Sequence, residues 1–451
     1  MRKFMVAYEA WEGAEYDNDM EISQEEAEVM ETEAKTLETE MSNDVQDAER
    51  ALDTADSMED LAIIADSVDE ATPTETALMQ VAGDMAVAGT DVDSEDVVPA
   101  TECFKGRRVA AEGFRETARN IWAAIKKFVK DIWAKLEKWF YNIFGAIPLL
   151  RKSIEKTRKR MEETLNDGKS IQGDAKKFEL NNGLDGLRVG QDVKTKATDV
   201  NKGAEVFKTV IEGLLEGGLV AKYGEKVADS IEEYEGETKT TAETSARKVY
   251  DALKTNIPDF NFTASVNSHE FGSEYDVKAS SGVLGGREFV YRTKIQNINP
   301  GAISALEMLN LVRGMRFSFQ QLSTKVKTKD SIQFETMKTN EIEESMNIAE
   351  SILDILENFH RRKGKKDLEK YRDRIEKACN NVESQSGKVD DSVNTSDQRE
   401  ILAYTRAVYK FAPAYASLAS IALTQSYNIG LQIVRTLLML SSRSLSQYTT
   451  K

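Results

Sequence analysis

From Gly113 onward, apolar residues recur at helical spacing. Phe114, Ala118, Ile121, Ile125, Phe128, Ile132, Leu136, Trp139 and Ile143 return every three or four positions, so they fall on one stripe of a long helix over 113–144. Trp122, Val129, Trp133 and Phe140 widen the stripe, and Arg115, Arg119, Lys126, Lys127, Lys130, Lys135 and Lys138 fill most of the opposite face. Gly145 and Pro148 stop it. A second, charged helix is predicted over 149–166, then a Gly-, Asn- and Lys-rich loop with short helical pieces over 168–203. Helices follow over 204–235 and 240–254.

The period then changes. FNFTASV (260–266) and REFVYRTKI (287–295) alternate apolar and polar positions, with Gly282, Gly285 and Gly286 between them. This predicts a small antiparallel sheet or long hairpin within 256–299. Beyond Pro300 the pattern returns to long helical runs at 301–328, 331–362, 365–384 and 396–447. The expected fold is mainly α, a long-helix body carrying a small antiparallel β insert.

Residues 1–112 differ in kind. They hold 31 Asp and Glu against 7 Lys and Arg, a net charge of −24, whereas residues 113–451 hold 46 acids and 53 bases, a net of +7. The whole-chain charge of −17 conceals this division. High net charge with few aromatics leaves little burial to offset chain entropy, so this leader is expected to be disordered or weakly helical, with 24–65 its best helical candidate. The expected organisation is therefore an acidic segment 1–112, a helical region 113–255 opening on the basic aromatic helix, a β insert 256–299 and a helical bundle 300–451.

Chemistry is sparse. Cys103 and Cys379 are the only two cysteines, too few for a disulfide framework or a four-thiolate zinc site. With only His269 and His360, histidine metal sites are not expected, and His269-Glu270 lacks the second histidine of a helical ligand pair. Val283-Leu284-Gly285-Gly286-Arg287 has neither the spacing nor the following lysine of a phosphate loop and reads as a hairpin turn. The sequence predicts no catalytic residue, no metal, no cofactor and no small-molecule substrate. A weaker enzyme reading would draw on Glu270, Glu274, Asp276 and Glu288 of the β insert.

The uncharged stretch 411–434 is long enough to span a bilayer, but Pro413, Ser417, Ser420, Thr424, Gln425, Ser426, Asn428 and Gln432 interrupt it, which favours a buried helix. Basic clusters at Lys126-Lys127, Arg158-Lys159-Arg160, Lys176-Lys177, His360 to Lys366 (with Arg361, Arg362 and Lys363) and Arg372 to Arg374 are candidates for phosphate contact without sequence readout. Solvated helix faces explain them as well. Trp122, Trp133, Trp139 and Phe140 could serve core packing, an oligomer seam or a membrane surface. Of these, packing within the body is favoured.

The order of an acidic leader, a small-x-Glu boundary at Ala110-Ala111-Glu112, and a helix opening Gly113-Phe114-Arg115-Glu116-Thr117-Ala118-Arg119 resembles the internal head (inner body) proteins of giant tailed phages of the phiKZ type. In that family a prohead protease cuts after Glu in Ser/Ala/Gly-x-Glu sequences and removes an acidic propeptide. The resemblance implies cleavage after Glu112, with Gly113 as the new terminus. It also implies synthesis in the host bacterial cytoplasm, packaging inside the capsid, and partners among the protease, other internal head or capsid proteins and non-specifically bound genomic DNA. Ala7-Tyr8-Glu9, Ser23-Gln24-Glu25 and Ser57-Met58-Glu59 offer secondary cuts, while Ser153-Ile154-Glu155 and Ala305-Leu306-Glu307 are expected to be protected by helix. Loss of the leader would turn an anionic chain into a +7 body compatible with packed polyanion. The rival reading is a membrane-interacting or effector protein using helix 113–144, with the leader as an inhibitory prosegment.

Overall fold

The computed structural model describes residues 130–139, 145–171, 176–180, 184–190, 192–253, 264–265, 275–294, 303–320, 331–361, 363–386 and 396–449. It also describes single helical positions at 36, 39, 40, 43, 54, 57, 61, 81 and 82. Of the expected helix 113–144, the described part 130–139 is helical. Next come α1 (Ala146–Asn166), β1 (Lys177–Leu180), β2 (Arg188–Val189), β3 (Asp192–Val193), α2 (Ala197–Ile211), a π-helical turn (Glu212–Glu216), α3 (Leu219–Glu232) and α4 (Lys239–Leu253). The remainder is β4 (Ala264–Ser265), β5 (Tyr275–Ala279), β6 (Glu288–Lys294), α5 (Ala305–Arg313), β7 (Arg316–Gln320), β8 (Ile332–Glu335), α6 (Thr339–Arg361), α7 (Lys363–Ser386), α8 (Ser396–Tyr409) and α9 (Phe411–Leu445). The protein is mainly α with small antiparallel sheets.

Helix α9 is the axis of the core. Its 35 residues rise about 50 Å, and α1, α3, α6 and β7 pack around it. Apolar residues lie on all sides of α9, which identifies a buried helix rather than a surface one. Its polar residues are used internally. Gln425 accepts the backbone N–H of Phe319 at 2.7 Å, Tyr427 donates to the Leu356 carbonyl at 2.6 Å, and Ser444 accepts the N–H of Met337 at 3.1 Å. Among the described residues no helix is long and apolar enough to cross a membrane.

The run 396–447 does not form one helix. Pro413 lacks an amide donor, and its ring clashes with the carbonyl four residues earlier, at Tyr409, so α8 ends there and α9 starts afresh.

The larger sheet is antiparallel in the order β4-β5-β6-β7. Gly285 and Gly286, at φ 96° and 71°, make the tight turn before β6, and their N–H groups donate to the Arg188 carbonyl at 2.8 and 2.9 Å. Strand β7 corrects the helical reading of 301–328: α5 ends at Arg313, and Arg-Phe-Ser-Phe-Gln then alternates as a strand, Phe317 and Phe319 inward. Phe289 and Phe319 meet across the ladder at 5.3 Å, and Phe207 of α2 closes on Phe319 at 5.3 Å. A second correction concerns β1 and β8, which pair in a two-stranded ladder with Phe178 opposite Phe334. Their segments read as loop and as the start of a helix; in the fold, Thr339 begins α6 after the strand has ended.

Candidate functional site

Ala110, Ala111, Glu112 and Gly113 lie outside the described residues, as do Trp122, Lys126, Lys127 and Phe140. The side chains of Arg361, Arg362 and Lys363 are outside them too, as are His269, Glu270 and Glu274. What the structure does place is the core that begins downstream of the boundary. The contiguous cluster of buried apolar residues among those described runs from Ile132 to Leu445.

Trp133 and Trp139 belong to that cluster. Trp139 is fully buried and meets Tyr427 edge-on at 5.5 Å, while Trp133 lies 6.2 Å from Tyr415. Both partners are on α9. Both rings are buried against α9.

The basic run on α1 is divided by helical geometry. Successive residues are turned by about 100°, so Arg158, Lys159 and Arg160 leave the helix in different directions. Arg158 faces α6, bonding Glu350 at 2.9 Å and Asn347 at 2.6 Å, with Glu343 at 3.3 Å. Arg160 reaches the hydroxyls of Ser442 on α9 and of Ser446, its C-cap, at 3.3 and 3.0 Å. Lys159 is exposed, as are Lys152 and Lys156 on the same stripe. Exposed Glu155, Glu162 and Glu163 interleave with them, so this face is only weakly positive.

The cluster at Arg372 to Arg374 is likewise neutralised. Arg372 pairs with Asp373 at 2.8 Å and with Glu137 at 3.5 Å. Arg374 binds Asp229 and Glu232 of α3, both at 2.6 Å, and these two carboxylates hold its guanidinium above the ordinary arginine range. Arg151 adds Asp354 and Glu357 at the α1–α6 seam. Sequence reasoning finds the cations and misses most of these anions, because all but Asp373 come from an element remote along the chain. Lys176 and Lys177 are exposed.

The tripeptides Ser153-Ile154-Glu155 and Ala305-Leu306-Glu307 are held in helices. Ile154 is 2% exposed in mid-α1. Ala305-Leu306-Glu307 opens α5, where Glu307 accepts the Ser304 N–H at 2.7 Å and Ser304 in turn caps the Glu307 N–H.

Nothing among the described residues gathers into a reactive centre. Strand register sets Asp276 opposite Thr293 and Glu288 opposite Gln320, so the two acids stand at opposite ends of β6. A shallow cavity of about 390 Å³ between α2 and α6 is lined by Glu205, Lys208, Asn340, Glu343 and Asn347, but Lys208 binds Glu205 and Arg158 binds Glu343. Among the described residues no group of His, Cys, Asp and Glu is arranged to hold a metal ion.

No curated protein and no solved structure matches the chain. A protein-family comparison, in contrast, matches residues 22–424, a span that starts inside the acidic segment and reaches α9. That span covers most of the sequence and agrees with the helical body built around α9, so this chain belongs to the phiKZ-like phage internal head proteins, structural components found inside the virion capsid.

Proposed function

We propose that this internal head protein is made as a precursor, cut after Glu112 by the prohead protease, and retained in the head as the residue 113–451 body. The observation that carries the reading is the charge discontinuity at Ala110-Ala111-Glu112-Gly113, with −24 before it and +7 after it. DNA entering a shell is a dense polyanion, and a −17 precursor at high local concentration repels it. Removing the leader reverses the sign.

Two structural observations support a cut at this place. The contiguous core among the described residues starts at Ile132, so the cut leaves it whole, including Trp133 and Trp139. Of the Ser/Ala/Gly-x-Glu sequences in the body, those at 153–155 and 305–307 sit in α1 and α5, where a protease requiring an extended substrate is blocked. In this reading 1–112 is the propeptide, 113–255 and 300–451 are the helical parts of the mature body, and 256–299 is the β insert.

Association with DNA is weak and independent of sequence. It draws on the exposed lysines of α1 and on Lys176 and Lys177, since Arg158, Arg372 and Arg374 are engaged by carboxylates. The burial of Trp133 and Trp139 favours this structural reading over one in which the same helix inserts at a bilayer. Amino-terminal sequencing of the protein from purified particles tests the processing. Gly113 is the expected first residue, and an intact Met1 end refutes it.

A further inference from the structure

Arg188 sits where an arginine is costly. It opens the two-residue strand β2 directly after the 3-10 turn Leu184–Leu187, and it is 6% exposed. Its carbonyl accepts the N–H groups of Gly285 and Gly286, so the root of the side chain is fixed against the turn before β6. The guanidinium itself is under-supplied. Nη1 reaches Asp185 only at 3.5 Å, and that side chain is 79% exposed, so the pair is screened by solvent. Asp192 on the paired strand β3 is taken by Lys194 at 3.1 Å. Nε and Nη2 are closed to solvent and have no hydrogen-bond acceptor among the described residues.

The other arginines of the body show the contrast. Arg158, Arg372 and Arg374 each bond a carboxylate of the chain at 2.6 to 2.9 Å. An arginine keeps its charge whether it is paired or not, and an enclosed charge without a counter-charge is strongly unfavourable. Nε and Nη2 form one edge of the planar fork, two near-parallel donors whose spacing matches two oxygens of a phosphate or a carboxylate. Glycine keeps the neighbourhood of that edge clear of side chains. A β-carbon at Gly286 would lie 3.7 Å from Nε, and one at Gly285 would meet nothing within 4 Å. Both residues are in the left-handed region, at φ 71° and 96°, which other residues rarely adopt.

We propose that Arg188 anchors a binding site for a small oxyanion, gripped through Nε and Nη2 between the Leu184–Leu187 turn and the Gly285–Gly286 turn. Enclosure of both donors selects a free anion of phosphate or carboxylate type over a side chain of a partner molecule. The anion is taken up as the chain folds and becomes part of the body, where it supplies the counter-charge that the fold withholds from this one guanidinium. The site is independent of proteolytic processing and of the acidic segment.

Denaturant unfolding of the full-length chain tests the site, in sodium phosphate against sodium chloride at matched pH and ionic strength. An anion bound only by the folded chain raises the folded-to-unfolded ratio by mass action, about 100-fold at a hundred times its dissociation constant. Phosphate also favours burial in general, and Arg188→Met, which keeps much of the side-chain length without the charge, measures that general part alone. The gain in phosphate over chloride is expected to be at least about tenfold larger in the native chain than in Arg188→Met. Arg188→Lys keeps a charge but loses the two-donor edge; it is expected to lose most of the gain as well, and it carries the comparison if Arg188→Met does not fold. Sodium acetate as a third salt separates the sources. A gain that needs Arg188 and appears in acetate assigns a carboxylate, and one confined to phosphate assigns a tetrahedral anion. Equal gains in the native chain and in the folded variant, in both salts, overturn the site.

Discussion

At single residues the body is held by the packing around α9. Trp139→Ala removes a fully buried ring from against Tyr427 and is expected to destabilise the body by about 3–5 kcal/mol, seen as a lower denaturant midpoint. Gly224 exposes a different constraint: a β-carbon there would run into the Tyr415 ring, whose hydroxyl donates to the Val220 carbonyl. Gly224→Ala is therefore expected to cost about 1–3 kcal/mol even though alanine is the better helix former. The buried tyrosines set an alkaline limit. Burial pushes the Tyr234 hydroxyl up to about 12, against the opposing bond from Thr405, and burial raises Tyr223, Tyr415 and Tyr427 as well. Between pH 10 and 12 the unfolded chain has released protons that the folded chain still holds, so stability is complete below 10 and falls as pH rises through this window. Denaturant midpoints measured across the window should show that fall, and Tyr234→Phe should make it shallower.

At the level of elements, ion pairs fasten α1 to α6 and α7 to α3. Each is partly exposed and contributes on the order of 0.2–1 kcal/mol, so Arg158→Ala is expected to lower stability by no more than about 1 kcal/mol, with less effect in high salt. Replacing Lys152, Lys156 and Lys159 together by Gln should leave folding intact and weaken retention on DNA at low salt, as read by a salt-dependent binding isotherm. Helices with long periodic patterns are legible in the sequence: 149–166, 240–254 and 365–384 correspond to α1, α4 and α7 within a few residues. Short strands are not. Lys177–Leu180 and Ile332–Glu335 have four residues each, too few for a period of two to stand out, and their pairing is a long-range event. Arg316–Gln320 alternates plainly but follows a helix so closely that the helical period masks it. The surroundings of the basic run on α1 were hidden for a related reason. Adjacency along the chain groups Arg158, Lys159 and Arg160, and a helix then sends them to three surroundings, two of them already supplied with partners.

Across the whole molecule, charge and core are divided along the chain. The negative charge is concentrated in a segment that supplies no member of the contiguous core among the described residues. Membership in an internal head family places the protein where such a change of sign matters, within a shell that fills with phosphate. The full-length chain and the 113–451 body should therefore differ in their interaction with DNA at low ionic strength, the first excluded and the second retained, with the difference vanishing as salt screens both. The decisive measurement is the intact mass of the protein recovered from infectious particles. The account predicts a chain that begins at Gly113 and lacks residues 1–112; a 50.5 kDa species carrying the whole acidic segment would contradict it.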